Sequence, residues 1–410
     1  MKKFLLGIAF ALVACSSFAQ PTLKLEPSKL DMKAGDVQEI TVSVVGAEAW
    51  AYCAAQFVIT LPEGVELGGK YMNGYTEEKV ADEYAKYLKK NKKTDSEETY
   101  KEFLKEKEST YFIETLFPSS TNPGAWQVPV SFTTAPHEYT TKDPKSNQDV
   151  YWRTSTTNEL NVVIMTQTSE TFPDDEVEIE PLFKFPVIAT DRTYTGTYPI
   201  DINYVTFTTD DKKSVPVADA TVGELTYAID YTIPAGGFGT LVWPLALDMS
   251  ANEFTVGTGE LNGTNMKPVP VEGKKIAGNE PVIIIGKAGT YSLTTVPKDQ
   301  SASVTKVTGN VLEGTVDKPL KVEGSNIFAL AEKNGVLGFY RCDEGVEIPQ
   351  YKAYYTGSAT VDSYPFEVDG INNIVADELS GDAYTISGVK VNNTSKKGVY
   401  IVNGKKVVVK

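Results

Sequence analysis

Histidine and cysteine are scarce in this chain of 410 residues, which contains one histidine, His137, and three cysteines. A single histidine excludes any site that needs two, and a Ser-His-Asp triad would have to use His137. So few cysteines exclude a cysteine-rich zinc site. Cys53 and Cys342 are interpreted as two buried free thiols, the alternative being a bridge between them in an oxidising compartment. Gly-x-Ser-x-Gly nucleophile motifs are absent, and no glycine pattern matches a phosphate-binding loop. No motif in the sequence therefore demands catalysis.

Positive charge is also in deficit. The chain has 39 Lys+Arg against 54 Asp+Glu, which gives a formal net charge of −15. An acidic chain is a poor partner for nucleic acid or for anionic lipid, because like charges repel. After the first twenty residues, no apolar run approaches the length of a membrane span.

Residues 1–19 have the pattern of an export signal. Lys2 and Lys3 precede an apolar run, and small residues follow up to Ala19. Cleavage there removes two lysines and no acid, so the charge becomes 37 − 54 = −17. Alternatively, the segment that ends at Cys15 resembles a lipobox, in which case Cys15 would carry a lipid anchor. Both interpretations predict an exported bacterial protein, either secreted or on the outer cell surface.

Short stretches of alternating apolar and polar residues dominate residues 20–228. Ile40, Val42 and Val44 alternate with polar residues, and so do the apolar residues around Phe185 and Ile202. Such stretches, bounded by Gly, Pro or Asp, predict half-buried strands in an antiparallel β-sandwich. The fold class predicted for the whole chain is mainly β.

Residues 76–110 interrupt the strand pattern. Apolar residues at helical spacing predict two helices, separated by a break at residues 91–95. Asp95 and Glu98 are interpreted as the cap and capping box of the second helix. Nineteen of the 32 residues from 77 to 108 are charged, with nearly balanced signs. The segment is predicted to be a helical hairpin inserted into a loop. Its charged surface is either a solvated face or a partner-binding face.

Three further segments follow the sandwich. Residues 229–367 are predicted to form a second β-rich domain, in which apolar runs such as 282–285 are strands buried on both faces. Residues 368–378 are rich in Asp, Gly and Asn and are interpreted as a linker. Residues 379–410 are predicted to form a small C-terminal β module, with Asn403-Gly404 as a hairpin turn.

Residues 22–228 resemble the cohesin and carbohydrate-binding-module superfamily. The resemblance rests on Lys33-Ala34-Gly35-Asp36 and the strand after it, on residues 54–67 with the Pro62-Glu63-Gly64 turn, and on closing strands at 181–187, 196–207 and 223–226. The helical insert departs from that pattern. Members of this group bind dockerin partners or polysaccharides, so the resemblance implies a binding protein without naming binding residues.

The C-terminal module is similar to the tails of exported proteins handled by the type IX secretion system. The similarity rests on residues 384–388 and 397–400 and on three terminal lysines, and it implies that the tail is either a sorting signal or a terminal β cap. The residues that carry it as a sorting tail are Gly398, Tyr400, Lys405, Lys406 and Lys410.

Acidic residues are densest around Asp174, Asp175 and Glu176. Three adjacent acids on a loop could ligate Ca²⁺, which prefers several oxygen ligands. Their spacing is not that of an EF-hand. The acids that follow them in the sequence also fit the solvent-facing side of a strand, where charged residues protect an exposed sheet edge. No other cofactor is expected.

Aromatic residues in polar loops are candidates for sugar binding, because flat apolar sugar faces stack on exposed rings. The candidates are Trp126, Tyr151 and Trp152. The competing interpretation is that these rings fill the core beneath the long loop.

Taken together, these features predict an exported, non-catalytic binding or adhesion protein whose partner is a polysaccharide or a cell-surface protein. Two alternatives stay open. A glycan-active hydrolase would use two carboxylates, which need not be neighbours in the sequence. A structural surface component would have neither a cleft nor an exposed aromatic row. Contact with a membrane is expected only through a lipid anchor or the sorting tail.

Overall fold

The computed structural model describes residues 21–45, 52–116, 126–127, 130–133, 137–142, 149–155, 158–166, 179–209, 213–366, 383–385, 390–391, 398–402 and 405–409. The chain forms two compact units, and the division falls between Tyr227 and Ala228. Each unit is built mainly from antiparallel sheets. The predicted fold class, mainly β with a helical insertion, is confirmed. No helix in the described ranges is both long and apolar enough to cross a membrane.

The first unit contains fifteen strands in the described residues. They are β1 (Thr22–Glu26), β2 (Lys29–Met32), β3 (Val37–Val45), β4 (Tyr52–Leu61), β5 (Val65–Leu67), β6 (Glu114–Thr115), β7 (Trp126–Gln127), β8 (Val130–Thr133), β9 (His137–Lys142), β10 (Asp149–Ser155), β11 (Asn158–Thr166), β12 (Ile179–Ala189), β13 (Gly196–Thr209), β14 (Ser214–Pro216) and β15 (Ala220–Tyr227).

Two sheets of this unit face each other. One has the order β1-β3-β12-β5, with β6 also paired to β12, and the other has the order β2-β15-β13-β4-β11-β7, with β14 on β13 and β8 on β11. Phe57 on the second sheet and Phe183 on the first are fully buried, and their ring centroids lie 6.2 Å apart. The packed rings join the two inner faces into a β-sandwich. A separate ribbon pairs β9 with β10, and His137 is the first residue of β9.

Alternation predicts the core of this sandwich, with one instructive exception on β13. Ile200 and Ile202 are buried as expected, whereas Tyr204, which has the same parity, is 37% exposed. The ladder to β4 shifts register between Asn203 and Thr206, and Tyr204 has a positive φ of 57°. This bulge adds one residue to β13 and reverses its parity, so the buried residue after it is Val205.

The Pro62-Glu63-Gly64 turn is confirmed. Gly64 has φ = 85°, a conformation that favours glycine, and the Val65 N–H donates to the Pro62 carbonyl at 3.1 Å. A Cβ on Gly64 would also lie 2.5 Å from the backbone nitrogen of Thr193. The glycine therefore permits both the turn and the close approach of the next loop.

The helical insert occupies the expected place and contains α1 (Glu77–Asn91), α2 (Glu97–Glu106) and a short third helix, α3 (Glu108–Phe112). Its second helix begins differently from the prediction. Ser96, not Asp95, is the N-cap, and its hydroxyl accepts from the Thr99 N–H at 3.1 Å. Asp95 accepts a hydrogen bond from the Tyr84 hydroxyl at 3.0 Å. Ser fits the cap because its short side chain reaches the free amide.

A cluster of aromatic side chains holds the insert together. Val80, Phe103, Tyr111 and Phe112 are buried in it, and half-buried apolar residues surround them: Leu67, Tyr71, Tyr75, Tyr84, Tyr87, Tyr100 and Leu104. Leu67 belongs to β5, so the cluster connects the helices to the edge of the sandwich. The apolar face of each helix is thus packed against neighbouring rings.

The second unit continues the strand numbering. Its strands are β16 (Ile229–Ile233), β17 (Phe238–Leu241), β18 (Leu247–Asp248), β19 (Thr255–Asn262), β20 (Asn265–Pro270), β21 (Lys275–Ile276), β22 (Val282–Ile285), β23 (Gly289–Thr295), β24 (Glu313–Gly314), β25 (Leu320–Lys321), β26 (Ile327–Lys333), β27 (Val336–Arg341), β28 (Glu347–Ile348), β29 (Ala353–Thr356) and β30 (Ser363–Pro365). It also contains a 3₁₀ turn at Glu272–Lys274 and a one-turn helix, α4 (Lys298–Ser301).

These strands form small sheets of the orders β16-β23-β18-β21, β17-β22-β19-β20, β24-β29-β26-β27-β30 and β25-β28. The apolar run Val282–Ile285 is a central strand in which the first three residues are fully buried, as predicted. The run at 327–330 differs. Phe328 is buried but Ala329 and Leu330 are half-buried, because only one face of β26 packs on the core that contains Phe339.

Four strands are described towards the C-terminus: β31 (Ala383–Thr385), β32 (Lys390–Val391), β33 (Gly398–Val402) and β34 (Lys405–Val409). They form one sheet of the order β32-β31-β33-β34. Val402 pairs with Lys405 across the predicted hairpin. The predicted linker at residues 368–378 lies outside the described residues.

Candidate functional site

The structure places the three candidate aromatic residues in two different sheets. Trp126 lies in β7, at the edge of the eight-stranded sheet, where it pairs with Thr166. Tyr151 and Trp152 lie in β10, within the ribbon, and Trp152 pairs with Thr140. All three are therefore strand residues, and the strand that carries Trp126 belongs to a different sheet from the strand that carries Tyr151 and Trp152. Their use in sugar binding stays a prediction.

The other candidates are described only in part. Gly398 and Tyr400 lie in β33, and Lys405 and Lys406 lie in β34. These two strands pair antiparallel to each other. Cys15, Asp174, Asp175, Glu176 and Lys410 lie outside the described residues. Within the described ranges, no group of three or more His, Cys, Asp or Glu side chains could hold a metal ion. Calcium binding and the sorting role of the tail stay predictions.

An open groove of about 480 Å³ lies at the β2 edge of the eight-stranded sheet. Strands β2, β15 and β13 lie side by side there. Backbone and side chains of the following residues line the groove: Ser28, Lys29, Thr197, Tyr198, Pro199, Thr221, Gly223 and Glu224. We call it the β2 groove. Its lining combines hydroxyls, one cation, one carboxylate and a proline ring.

Gly223 makes this groove possible. A Cβ at this position would lie 2.8 Å from the Ser28 carbonyl oxygen, closer than side-chain atoms are found. That carbonyl accepts the Glu224 N–H at 2.8 Å, which starts the parallel pairing of β2 with β15. The absence of a side chain therefore lets β2 approach β15 and leaves the groove floor open.

A single ion pair dominates the electrostatics of the β2 groove. The Lys29 ammonium lies 2.8 Å from a Glu224 carboxylate oxygen, and the two side chains are 77% and 45% exposed. The hydrogen bond and the charge of Glu224 raise the pKa of Lys29 above its ordinary value. Both side chains are exposed, so the Lys29 ammonium can donate to a ligand and the Glu224 carboxylate oxygens can accept from it.

Neighbouring side chains form short polar pairs beside the groove. Thr221 donates to Asp201 at 2.6 Å, and the hydroxyls of Thr197 and Thr226 lie 3.0 Å apart. The Tyr198 hydroxyl donates to the Thr195 carbonyl at 3.2 Å. Burial raises the pKa of Tyr198, so the phenol stays protonated. These pairs fix the positions of groups that a polar ligand would contact.

Sequence reasoning did not identify this groove. Lys29 and Glu224 are far apart in the chain, and they meet only because β2 pairs in parallel with β15, whereas alternation alone predicts antiparallel neighbours. The one available signal was Gly223, a glycine inside a predicted strand, which often marks a close backbone approach.

Cys53 and Cys342 are free thiols, as predicted, and both are half-buried. The Cys53 thiol donates to the Thr209 carbonyl at 3.4 Å. Burial raises the pKa of Cys342 above its ordinary value. A raised pKa keeps the thiol protonated and weakly nucleophilic, which makes Cys342 a poor catalytic candidate.

No known protein family and no curated protein matches this chain. Among solved structures, it is similar to the cohesin–dockerin complex Coh-OlpA-Doc918 from Clostridium thermocellum, with 10% identity over 51% of this chain and 99% of that chain, at a TM-score of 0.25. It is also similar to the pilus backbone protein RrgB from Streptococcus pneumoniae, with 9% identity over 93% of this chain and 68% of that chain, at a TM-score of 0.19. Similarity at these TM-scores does not assign a function or a partner to this chain.

Proposed function

We propose that this chain is an exported, non-catalytic binding protein, and that the β2 groove contacts a glycan. The observation that carries the proposal is the composition of the groove, whose lining includes Thr197, Thr221 and the exposed Lys29–Glu224 pair. Sugar hydroxyls both donate and accept hydrogen bonds, so they need a lining that offers both kinds of group. The ammonium supplies donors, the carboxylate supplies acceptors, and the Pro199 ring supplies an apolar surface.

The arrangement favours binding over hydrolysis. Among the residues that line the groove, Glu224 is the one carboxylate, and it is held by the Lys29 ammonium. A glycosidase needs two carboxyl groups that flank the bond, one of them protonated at working pH. The lining of the groove supplies one of these two carboxyl groups.

Export and surface attachment complete the proposal. The signal at residues 1–19 would direct the chain out of the cell, and either Cys15 or the β31–β34 module would attach it to the surface. A surface protein is the other expected partner, and its binding would use a larger area than this groove provides.

The experiment is a glycan panel measured by calorimetry and by reducing-end release on the mature protein. The groove variant is Lys29→Met with Glu224→Gln, which removes both charges and keeps the net charge. The matched control is Lys24→Met with Glu26→Gln, which removes an exposed ion pair of the same kind on β1.

We expect the groove variant to bind its glycan roughly tenfold more weakly, about the value of one lost hydrogen bond, while the control binds normally. Equal affinity of both variants would exclude the groove as the binding site. Release of reducing ends by the wild type would contradict the non-catalytic assignment.

A further inference from the structure

The acidic average of this chain conceals one basic run at the tip of the helical insert. From residue 86 to residue 93 the sequence contains five lysines and no acid, in a protein with a net charge of −15. Lys89, Lys90 and Lys92 are all exposed. We call these three residues the lysine tip.

The local structure directs the lysine tip towards solvent. Lys89 and Lys90 lie in the last turn of α1, and both are exposed. Lys86 precedes them by one turn, so Lys86, Lys89 and Lys90 share a face of α1 at spacings of three and four residues. Lys92 follows as the C-cap, with φ = 54°. The left-handed conformation is one that glycine or asparagine adopts more readily than lysine.

Two acids of the insert that follow the tip in the sequence are already engaged. Asp95 accepts from the Tyr84 hydroxyl at 3.0 Å, and Glu102 is paired with the ammonium of Lys93. Lys89, Lys90 and Lys92 have no carboxylate within ion-pair distance in the described part of the chain. Among the side chains that the structure describes, no ion pair therefore compensates their positive charge.

Such clustering is unfavourable for the isolated helix. Like charges three or four residues apart, such as Lys86 and Lys90, repel each other. The negative end of the α1 dipole offsets part of this repulsion, and its effect falls off within the last turn. Lysine in the left-handed conformation at the cap is less favourable for the stability of the helix than asparagine would be. The surplus of charge therefore points to a partner that is itself negative.

We propose that the lysine tip binds an anionic polysaccharide, one whose sugar units carry carboxylate, sulfate or phosphate groups. Tyr87 lies beside the tip, with the Lys93 ammonium 5.5 Å from its ring centroid. Lys93 is paired with Glu102 and donates to the Tyr87 hydroxyl at 3.2 Å, so Lys89, Lys90 and Lys92 are the ammonium groups left to contact acidic substituents of a sugar.

A lipid bilayer fits the tip less well, because no large apolar side chain is available there to insert. The large hydrophobic side chains that the described residues expose all lie outside the insert, namely Val37, Met165, Tyr204, Leu261, Val336 and Val346. This inference concerns a different site from the β2 groove, so each can fail without the other.

The test measures binding of the mature protein to polygalacturonate, dextran sulfate, neutral dextran and vesicles of anionic phospholipid, at low and high salt. The tip variant is Lys89→Gln, Lys90→Gln and Lys92→Asn, where asparagine suits the left-handed cap. The matched control changes three exposed lysines of the second unit, Lys267, Lys287 and Lys318, to Gln. Both variants have the same net charge, and circular dichroism checks that the helices persist.

We expect the wild type and the control to bind at least one of the two anionic polysaccharides at low salt and to release it at high salt. The tip variant should bind about tenfold more weakly or not at all. Equal losses in both variants, equal binding to neutral dextran, binding to vesicles alone, or no binding by the wild type would each overturn the proposal.

Discussion

Replacing Phe103 with alanine should unfold the helical insert while the sandwich stays folded. Phe103 is 2% exposed, and its ring centroid lies 5.3 Å from those of both Tyr84 and Tyr87 and 5.9 Å from that of Tyr111. Its ring, on α2, therefore contacts residues of both α1 and α3. Removing a buried phenylalanine costs about 3–5 kcal/mol, as lost transfer free energy and a residual cavity.

The insert is not stable enough to stay folded after that loss of free energy. Its two longer helices have 15 and 10 residues, and isolated helices of such length are marginal in water. The base of the insert is tied separately, because the Met72 N–H donates to the Tyr111 carbonyl at 2.7 Å and the Asn73 amide donates to the Ile113 carbonyl at 2.7 Å. We therefore expect local unfolding of residues 77–106 above an intact base.

Hydrogen exchange followed by mass spectrometry checks this expectation. Peptides from residues 77–106 should lose protection in the variant, and peptides from β12 should keep it. Limited trypsin digestion should cut at the lysine tip first. The matched control is Phe339→Ala, which creates a similar cavity in the second unit and should leave the insert protected. Uniform loss of protection across the first unit, or none at all, would refute the idea that the insert is a separate cooperative element.

Two further predictions concern single side chains. Burial lowers the pKa of Lys352, whose ammonium lies 5.6 Å from the ring centroid of Tyr231. Between that lowered pKa and the ordinary lysine pKa, the unfolded chain binds more protons than the folded chain. The free energy of unfolding should therefore rise with pH in that window. Lys352→Met should remove the rise and stabilise the second unit at neutral pH, and thermal melts from pH 7 to above pH 10 that show equal slopes for both proteins would contradict this. Ser96→Ala should destabilise the insert by about 1 kcal/mol through loss of the α2 cap. Asp95→Ala should cost less, and hydrogen exchange of the α2 amides that ranks the two variants in reverse would show that Asp95 is the true cap.

Residue alternation predicted the sandwich core because burial depends on side-chain parity, which is a local property of the sequence. The same rule fails at Tyr204, where a bulge changes the parity within β13. The bulge is fixed by a long-range contact, since the Tyr204 N–H donates to the Asp219 carboxylate at 2.7 Å. Nothing in the residues around 204 encodes that acceptor, so only tertiary structure reveals which way the tyrosine faces.

The helical insert was predictable for a related reason. Helices of this kind are defined by spacings of three and four residues, and each helix carries its own apolar face in its sequence. Its exact start was not predictable, because Asp95 and Ser96 are both good caps. The tertiary contact of Tyr84 with Asp95 removes that carboxylate from competition and leaves the cap to Ser96.

The two candidate binding surfaces differ in what a sequence can reveal of them. The β2 groove depends on a parallel pairing between residues almost two hundred positions apart, so its chemistry is assembled by topology and is invisible to local patterns. The lysine tip is contiguous in the sequence, but whole-segment charge balance hides it because ten acids offset nine lysines between residues 77 and 108. Structure separates those charges by showing which carboxylates are engaged and which lysines are left exposed. A charged segment should therefore be judged by its pairing in space, since net charge alone makes a polarised surface and a neutral one look the same.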